Sequence, residues 1–196
     1  MVSNVLKVYT LNKDFNYSGD WYVQANSFCA EIAQMYHLKL ETTVGMLAAL
    51  SPLKNWEQNK LILKHYLETG EVKHTKVFTN KVVLIHKQAQ TVDEITSILR
   101  GQKIISFFLN ILYPTTSEQV TIDRHAASIV FNQKLTGEDS HFSIKQYISM
   151  QQAYIVAAKK VDLPALQLQA ITWDIWKSKF YQKKAVKNGK KVKISL

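Results

Sequence analysis

Apolar residues recur three and four positions apart along most of this chain, the spacing of helices buried on one face. Only near the C-terminus does a shorter, alternating pattern replace it. The spacing predicts a helix over Trp21 to His37, with Tyr22, Phe28, Ile32 and Met35 on one face and Asp20 as its N-cap. A second runs from Glu41 to Leu50, before Pro52, and a third from Asn55 to Glu68, stopped by Gly70. Thr79 is placed to cap a helix holding Val82, Val83, Ile85 and His86, and short helical turns over Val92 to Leu99 lead to Gly101. From Lys103 to Tyr113 the apolar positions fall at i, i+1, i+3, i+4, i+7 and i+8, which marks a deeply buried helix ended by Pro114. Asp123 opens another apolar run to Phe131, Ser143 to Lys160 reads as a longer amphipathic helix, and Pro164 suits the first turn of a last helix reaching Trp176. The fold class is all-α, with no sheet expected in residues 1–176.

The last twenty residues change character. Residues 177–196 carry eight lysines and no acid, and two short alternating stretches flank Asn188-Gly189, a dipeptide favoured in tight hairpin turns. A helical domain over 1–176 followed by a basic tail or β-hairpin over 177–196 is therefore expected. The tail also accounts for most of the charge. The 196 residues have a formal charge of +10, but residues 1–176 hold 17 basic and 15 acidic side chains, or +2. Such a tail calls for an anionic partner. The single cysteine, Cys29, excludes internal disulfides and a four-cysteine zinc or iron–sulfur site within the chain, and fits a reducing compartment. No metal or cofactor is expected. With no signal-peptide pattern at Met1 to Tyr9 and no apolar run near the ~20 residues that cross a bilayer, a soluble cytoplasmic protein without a membrane partner is expected.

The candidate chemistry lies in two segments, Leu99-Arg100-Gly101-Gln102-Lys103 and Val120-Thr121-Ile122-Asp123-Arg124-His125. A lysine opens the buried helix, and a carboxylate opens the next helix twenty residues later. Helix 103–113 advances about 15 Å, while the connection 114–122 can extend to about 30 Å. The chain can thus return and bring Asp123 beside Lys103. A helix N-terminus attracts anions and repels cations, so Asp123 suits its place and an ammonium at Lys103 does not. A neutral amine there is a nucleophile, and a nearby carboxylate can stabilise positive charge or move a proton. The pair suits attack on an electron-poor carbon such as a sugar C1′.

The order Leu-x-Gly-x-Lys, apolar helix, Val-Thr-Ile-Asp-x-His resembles the helix-hairpin-helix DNA glycosylase superfamily, in particular its endonuclease-III-like branch. Leu47-Ala48-Ala49-Leu50-Ser51-Pro52, followed by Asn59-Lys60, is similar to that family's helix leading to the DNA-facing loop. Together with Leu168-Gln169-Ala170-Ile171-Thr172-Trp173, these segments also resemble a group of short phage-borne proteins. The resemblance implies a bifunctional glycosylase and lyase that flips a damaged or modified base of duplex DNA. Lys103 is then the Schiff-base nucleophile and Asp123 the catalytic carboxylate. Gly101 and Gln102 belong to the phosphate-holding hairpin, and Ser51, Lys54, Asn55 and Trp56 to the DNA-facing loop. The sequence departs from the family's pattern in three places. Leu99 stands where the hairpin has its first glycine, Leu53-Lys54-Asn55-Trp56 stands where a wedge glutamine is common, so that Trp56 or Asn55 must fill the space of a flipped base, and the cysteine cluster is absent.

Plainer roles stay open for the same residues. Lys103 can be a surface lysine at a helix start and Asp123 an N-cap. Arg124 and His125 can contact phosphate or tune Lys103, and His125 can equally be a satisfied half-buried side chain. Trp173 and Trp176 read as core. Two other functions fit the sequence: a phage transferase acting on hypermodified thymine in DNA, and a non-catalytic protein that traps a nucleotide or coats DNA.

Overall fold

The structure, a computed structural model, describes residues 1–137, 139 and 141–181, and every regular element among them is a helix. The elements are α1 (Val2–Tyr9), α2 (Asn12–Phe15), α3 (Trp21–Met35), α4 (Leu40–Leu50), α5 (Trp56–Thr69), α6 (Lys76–Gln88), α7 (Val92–Leu99), α8 (Gln102–Leu112), α9 (Arg124–Phe131), α10 (Ile144–Lys160) and α11 (Ala165–Tyr181). The all-α expectation holds. The hairpin expected around Asn188-Gly189 lies outside the described residues.

Local chemistry sets most helix starts. Asn55, Thr91 and Ser143 each close a reciprocal capping box, with Gln58, Glu94 and Gln146 reaching back to the cap's own amide. Gly70 ends α5 in the left-handed conformation, which it adopts without a Cβ clash. Three expectations need correction. Asp20 precedes α3 but caps no amide, because its carboxylate accepts from the Ser18 hydroxyl and the Gln24 amide instead. The helix expected to begin at Thr79 begins one turn earlier, with Thr75 at its N-cap; Thr79 turns its hydroxyl back to the Thr75 carbonyl. The helical turns expected over Val92 to Leu99 are present as α7, with those bounds. The last helix does not stop at Trp176 but runs to Tyr181, so residues 177–181 belong to the body. Helices α1 and α2 lacked a readable cap in the sequence, and α1 has no side-chain cap.

The helices enclose two apolar cores. The first is built from α3 to α8 around Leu47, Leu50, Leu63, Ile85, Ile95, Phe108 and Ile111. In it α4 is buried on every face from Thr42 to Leu50. Gly45 permits this closeness, since a Cβ there would meet Ile95 Cγ2 at 2.7 Å. The second core gathers α1, α9, α10 and α11 around Val5, Ile129, Met150, Tyr154 and Ile175. Helix α11 serves both: Leu166 and Ala170 join the first core, while Leu168, Ile171, Ile175 and Trp176 join the second. Two buried stripes on one helix leave little surface, and of its exposed residues Lys177 lines the cavity described below. None of the described helices is long and apolar enough to cross a membrane.

Candidate active site

A cavity of about 560 Å³ opens between the two cores. Its walls come from the start of α3, the loop 51–55, α5, the first turns of α8, the approach to α9, and α11. Such a volume suits a small-molecule or single-base ligand.

Lys103 is the second residue of α8 and is solvent-exposed at the cavity edge. The preceding turn is unusual: Arg100 has φ 51° and ψ 145°, and Gly101 has φ 87°. Two consecutive positive φ angles reverse the chain tightly enough to start α8 immediately after α7. The Leu99 carbonyl at this turn accepts from the Lys81 ammonium. Gly101 supplies no side-chain cap, so the first amides of α8 lack an intrahelical or side-chain acceptor.

Asp123 arrives by a different route. The extended segment before it is pinned from two helices: Tyr147 Oη accepts from the Ile122 amide at 3.0 Å and donates to the Val120 carbonyl at 3.2 Å, while Asn110 Nδ2 donates to Thr121 Oγ1 at 3.2 Å. Gln151 adds a bond to the Val120 carbonyl at 2.9 Å. The Asp123 carboxylate is then fixed at both oxygens. Oδ1 accepts the Ala126 amide at 2.8 Å as the N-cap of α9, and Oδ2 accepts Trp173 Nε1 at 2.9 Å from α11. The cap role and a place in the site are thus compatible.

Lys103 and Asp123 line the same cavity, yet no ion pair within 4.0 Å joins them. Ser51, Lys54, Asn55, Trp56 and His125 line it too. Gly101, Gln102 and Arg124 do not; the first two are exposed on the α7–α8 turn, and Arg124 is half-buried at the start of α9. Asn55 spends its side chain on the α5 capping box. Trp56 packs edge-on against Trp21 at 5.0 Å and Phe28 at 5.8 Å, with the Lys60 ammonium 5.5 Å from its ring. The loop also projects an apolar side chain: Leu53 is 87% exposed at the mouth, with φ 64°.

Burial pushes the His125 imidazole below its ordinary range, with Arg124, Lys177 and Lys103 adding to the effect and Asp123 opposing it. The ring stands edge-on to Trp173 at 5.7 Å. Burial also raises the Asp174 carboxyl above the usual carboxylate range, against the pull of Lys177.

Several lining residues escaped the sequence reading. Trp21, Tyr22 and Phe107 form an aromatic wall, in which Trp21 meets Tyr22 at 5.0 Å and Phe107 at 5.7 Å. Buried polar groups lie among them: Tyr22 Oη donates to Gln169 Oε1 at 2.9 Å, and Asn59 Nδ2 donates to the Leu47 carbonyl at 3.2 Å. Trp173 was expected in the core; it is half-buried and lines the cavity, whereas Trp176 is core. The missed signal is on α11, where Gln169, Trp173 and Lys177 stand four apart and so share one face. Among the described residues no cluster of three His, Cys, Asp or Glu side chains could hold a metal ion.

Neither a curated protein nor a solved structure matches the chain. A family model described as a family of unknown function (DUF7178) matches residues 1–180, a span that includes every helix up to the last turn of α11 and every residue lining the cavity, and the chain belongs to that family.

Proposed function

We propose that this protein processes a base in DNA, drawing a flipped nucleotide into the cavity and attacking C1′ with Lys103. One observation carries the reading: a lysine at the start of α8 and a doubly anchored carboxylate at the start of α9 line a single aromatic-walled cavity. The Lys103 amine, once deprotonated, gives its lone pair to C1′ while the N-glycosidic bond breaks and its electron pair leaves with the base, which takes up a proton. Asp123 stabilises the positive charge developing on the sugar. Loss of a proton from the new amine and opening of the sugar ring leave an iminium, from which strand cleavage can follow. Base flipping costs a few kcal/mol, and Leu53 at the mouth is the apolar side chain suited to occupy the vacated stack. DNA is the partner this reading requires, and no cofactor enters it.

Borohydride trapping on a duplex with one abasic site tests the lysine chemistry without knowledge of the base. The expected result is a covalent adduct with the wild type, none with Lys103→Ala, and formation about 10²-fold slower with Asp123→Asn, since on this substrate the positive charge the carboxylate stabilises is that of the iminium at C1′. Absence of a wild-type adduct, or an undiminished adduct with Lys103→Ala, overturns the proposal. A second reading, binding without turnover, is favoured by one observation: Lys103 is exposed and lies beyond ion-pair distance of Asp123. It requires that no adduct forms.

A further inference from the structure

The cavity presents three kinds of group in separate places. Trp21, Trp56 and Phe107 offer flat apolar surface. The mouth is edged by Lys54, Lys103 and Lys177, which come from the loop after α4, from α8 and from α11; Lys103 and Lys177 are exposed. These three ammonium groups outnumber the two carboxylates of the lining, Asp123 and Asp174, and Asp123 is already engaged by Trp173 and the Ala126 amide.

The third group is an orphan. Asn59 is 2% exposed, and its amide nitrogen donates to the Leu47 carbonyl near the end of α4. A carbonyl accepts only the nitrogen end of the amide, so the orientation of Asn59 is fixed and Oδ1 is left over. That oxygen is buried and has no hydrogen-bond partner. A buried acceptor without a donor is costly and rare, and here it belongs to a residue that lines a cavity. Nearby, Gln169 is only 5% exposed and has its Oε1 committed to Tyr22, so its amide N–H groups are the end left for a ligand. The occupant that satisfies all of this is planar, brings an N–H donor and a carbonyl or ring-nitrogen acceptor, and carries negative charge at the opposite end.

We propose that the cavity binds a free nucleoside monophosphate, with its base on the aromatic wall, a base N–H donated to Asn59 Oδ1, and its phosphate at the mouth among Lys54, Lys103 and Lys177. The inference shares the cavity with the DNA-processing reading but does not need its lysine chemistry. Trapping can fail with nucleotide binding intact, and nucleotide binding can fail with trapping intact, so the two are separable.

Titration calorimetry of the full chain with the four 2′-deoxynucleoside 5′-monophosphates tests it, with tryptophan fluorescence as a second readout, since Trp21, Trp56 and Trp173 line the cavity. Saturable binding of at least one nucleotide is expected, with its nucleoside about tenfold weaker and inorganic phosphate and ribose 5-phosphate weaker still. The Lys54→Ala/Lys177→Ala double variant should lose about tenfold in affinity for the nucleotide and keep its affinity for the nucleoside. Asn59→Leu should lose both; because Asn59 also caps Leu47, its fold is checked by circular dichroism, and the lysine variant decides the matter if it unfolds. No saturable binding of any nucleotide, binding of ribose 5-phosphate as tight as that of the nucleotide, or equal loss of nucleoside and nucleotide in the lysine variant overturns the proposal.

Discussion

Trp173 shows how much of this site rests on single residues. Its indole N–H donates to Asp123 Oδ2, and its ring meets the His125 ring at 5.7 Å and the Lys177 ammonium at 4.1 Å from its centroid. Replacing it with Phe keeps most of the ring and removes the donor. Trapping rates on abasic DNA should fall about 10- to 150-fold for Trp173→Phe, in line with about 1.5–3 kcal/mol for a hydrogen bond to a charged group, while the helical circular dichroism spectrum stays unchanged. An undiminished rate would mean that the Ala126 amide alone holds the carboxylate.

His125 carries the pH dependence. Burial depresses its folded value below that of the unfolded chain, so the unfolded state binds more protons as the pH drops. The stability this neutral ring supports is present above the unfolded value of about 6.5 and is lost as the pH falls through the depressed folded value. Burial shifts His86 in the same direction, so both contribute. Urea unfolding between pH 7 and pH 5 should show a steeper loss for the wild type than for His125→Gln. At Asp174, where burial works against the charged form, Asp174→Asn should raise the thermal midpoint at neutral pH; a lowered midpoint would show that Lys177 outweighs the burial.

At the scale of elements, what could be read in advance followed the chemistry of caps and periodicity. The Asn55 and Ser143 starts, the Gly70 stop and the buried face of α8 were visible because each is decided within one helical turn. Asp20 and Thr79 misled because a short polar side chain has several local partners, and sequence does not say which it takes. Lys103 and Asp123 were legible because both sit at helix starts, where position along the chain determines position in space. Asn59, Gln169, Trp21 and Phe107 were not, since they meet only through the packing of α3, α5, α8 and α11.

Three backbone substitutions check this packing. Gly45→Ala places a methyl against Ile95 and should cost about 1–3 kcal/mol, read by urea unfolding; a neutral result would mean that α4 and α7 can separate freely. At the α7–α8 turn, Arg100 holds φ 51° with ψ 145°, a region unfavourable to a residue with a Cβ. Arg100→Gly should therefore be tolerated or stabilising by up to about 1 kcal/mol, whereas Gly101→Ala, at φ 87° with open space around it, should destabilise through the backbone alone.

The whole molecule is two cores sharing α11, with the cavity along their junction. The boundary drawn at residue 176 would cut this shared helix and remove Lys177 from the cavity lining. A truncation that respects the fold follows Tyr181 and takes away six lysines, from Lys183 to Lys193. If the tail grips DNA through phosphates, removing it should flatten the dependence of duplex affinity on salt, since each neutralised phosphate adds about 0.9 to the log–log slope. Trapping at saturating DNA should be unaffected. An unchanged slope would assign DNA contact to the body, whose formal charge through Tyr181 is +4.

The central claim is that Lys103 is the amine that meets the sugar, and its most direct measurement is the location of the borohydride-reduced adduct by tryptic peptide mass spectrometry. Trypsin cuts after Arg100, Lys103 and Arg124, and an alkylated Lys103 resists cleavage. The expected product is one peptide covering residues 101–124 and carrying the mass of the reduced sugar fragment. An adduct on Lys54 or Lys177 instead, or no adduct on any peptide, would contradict the account.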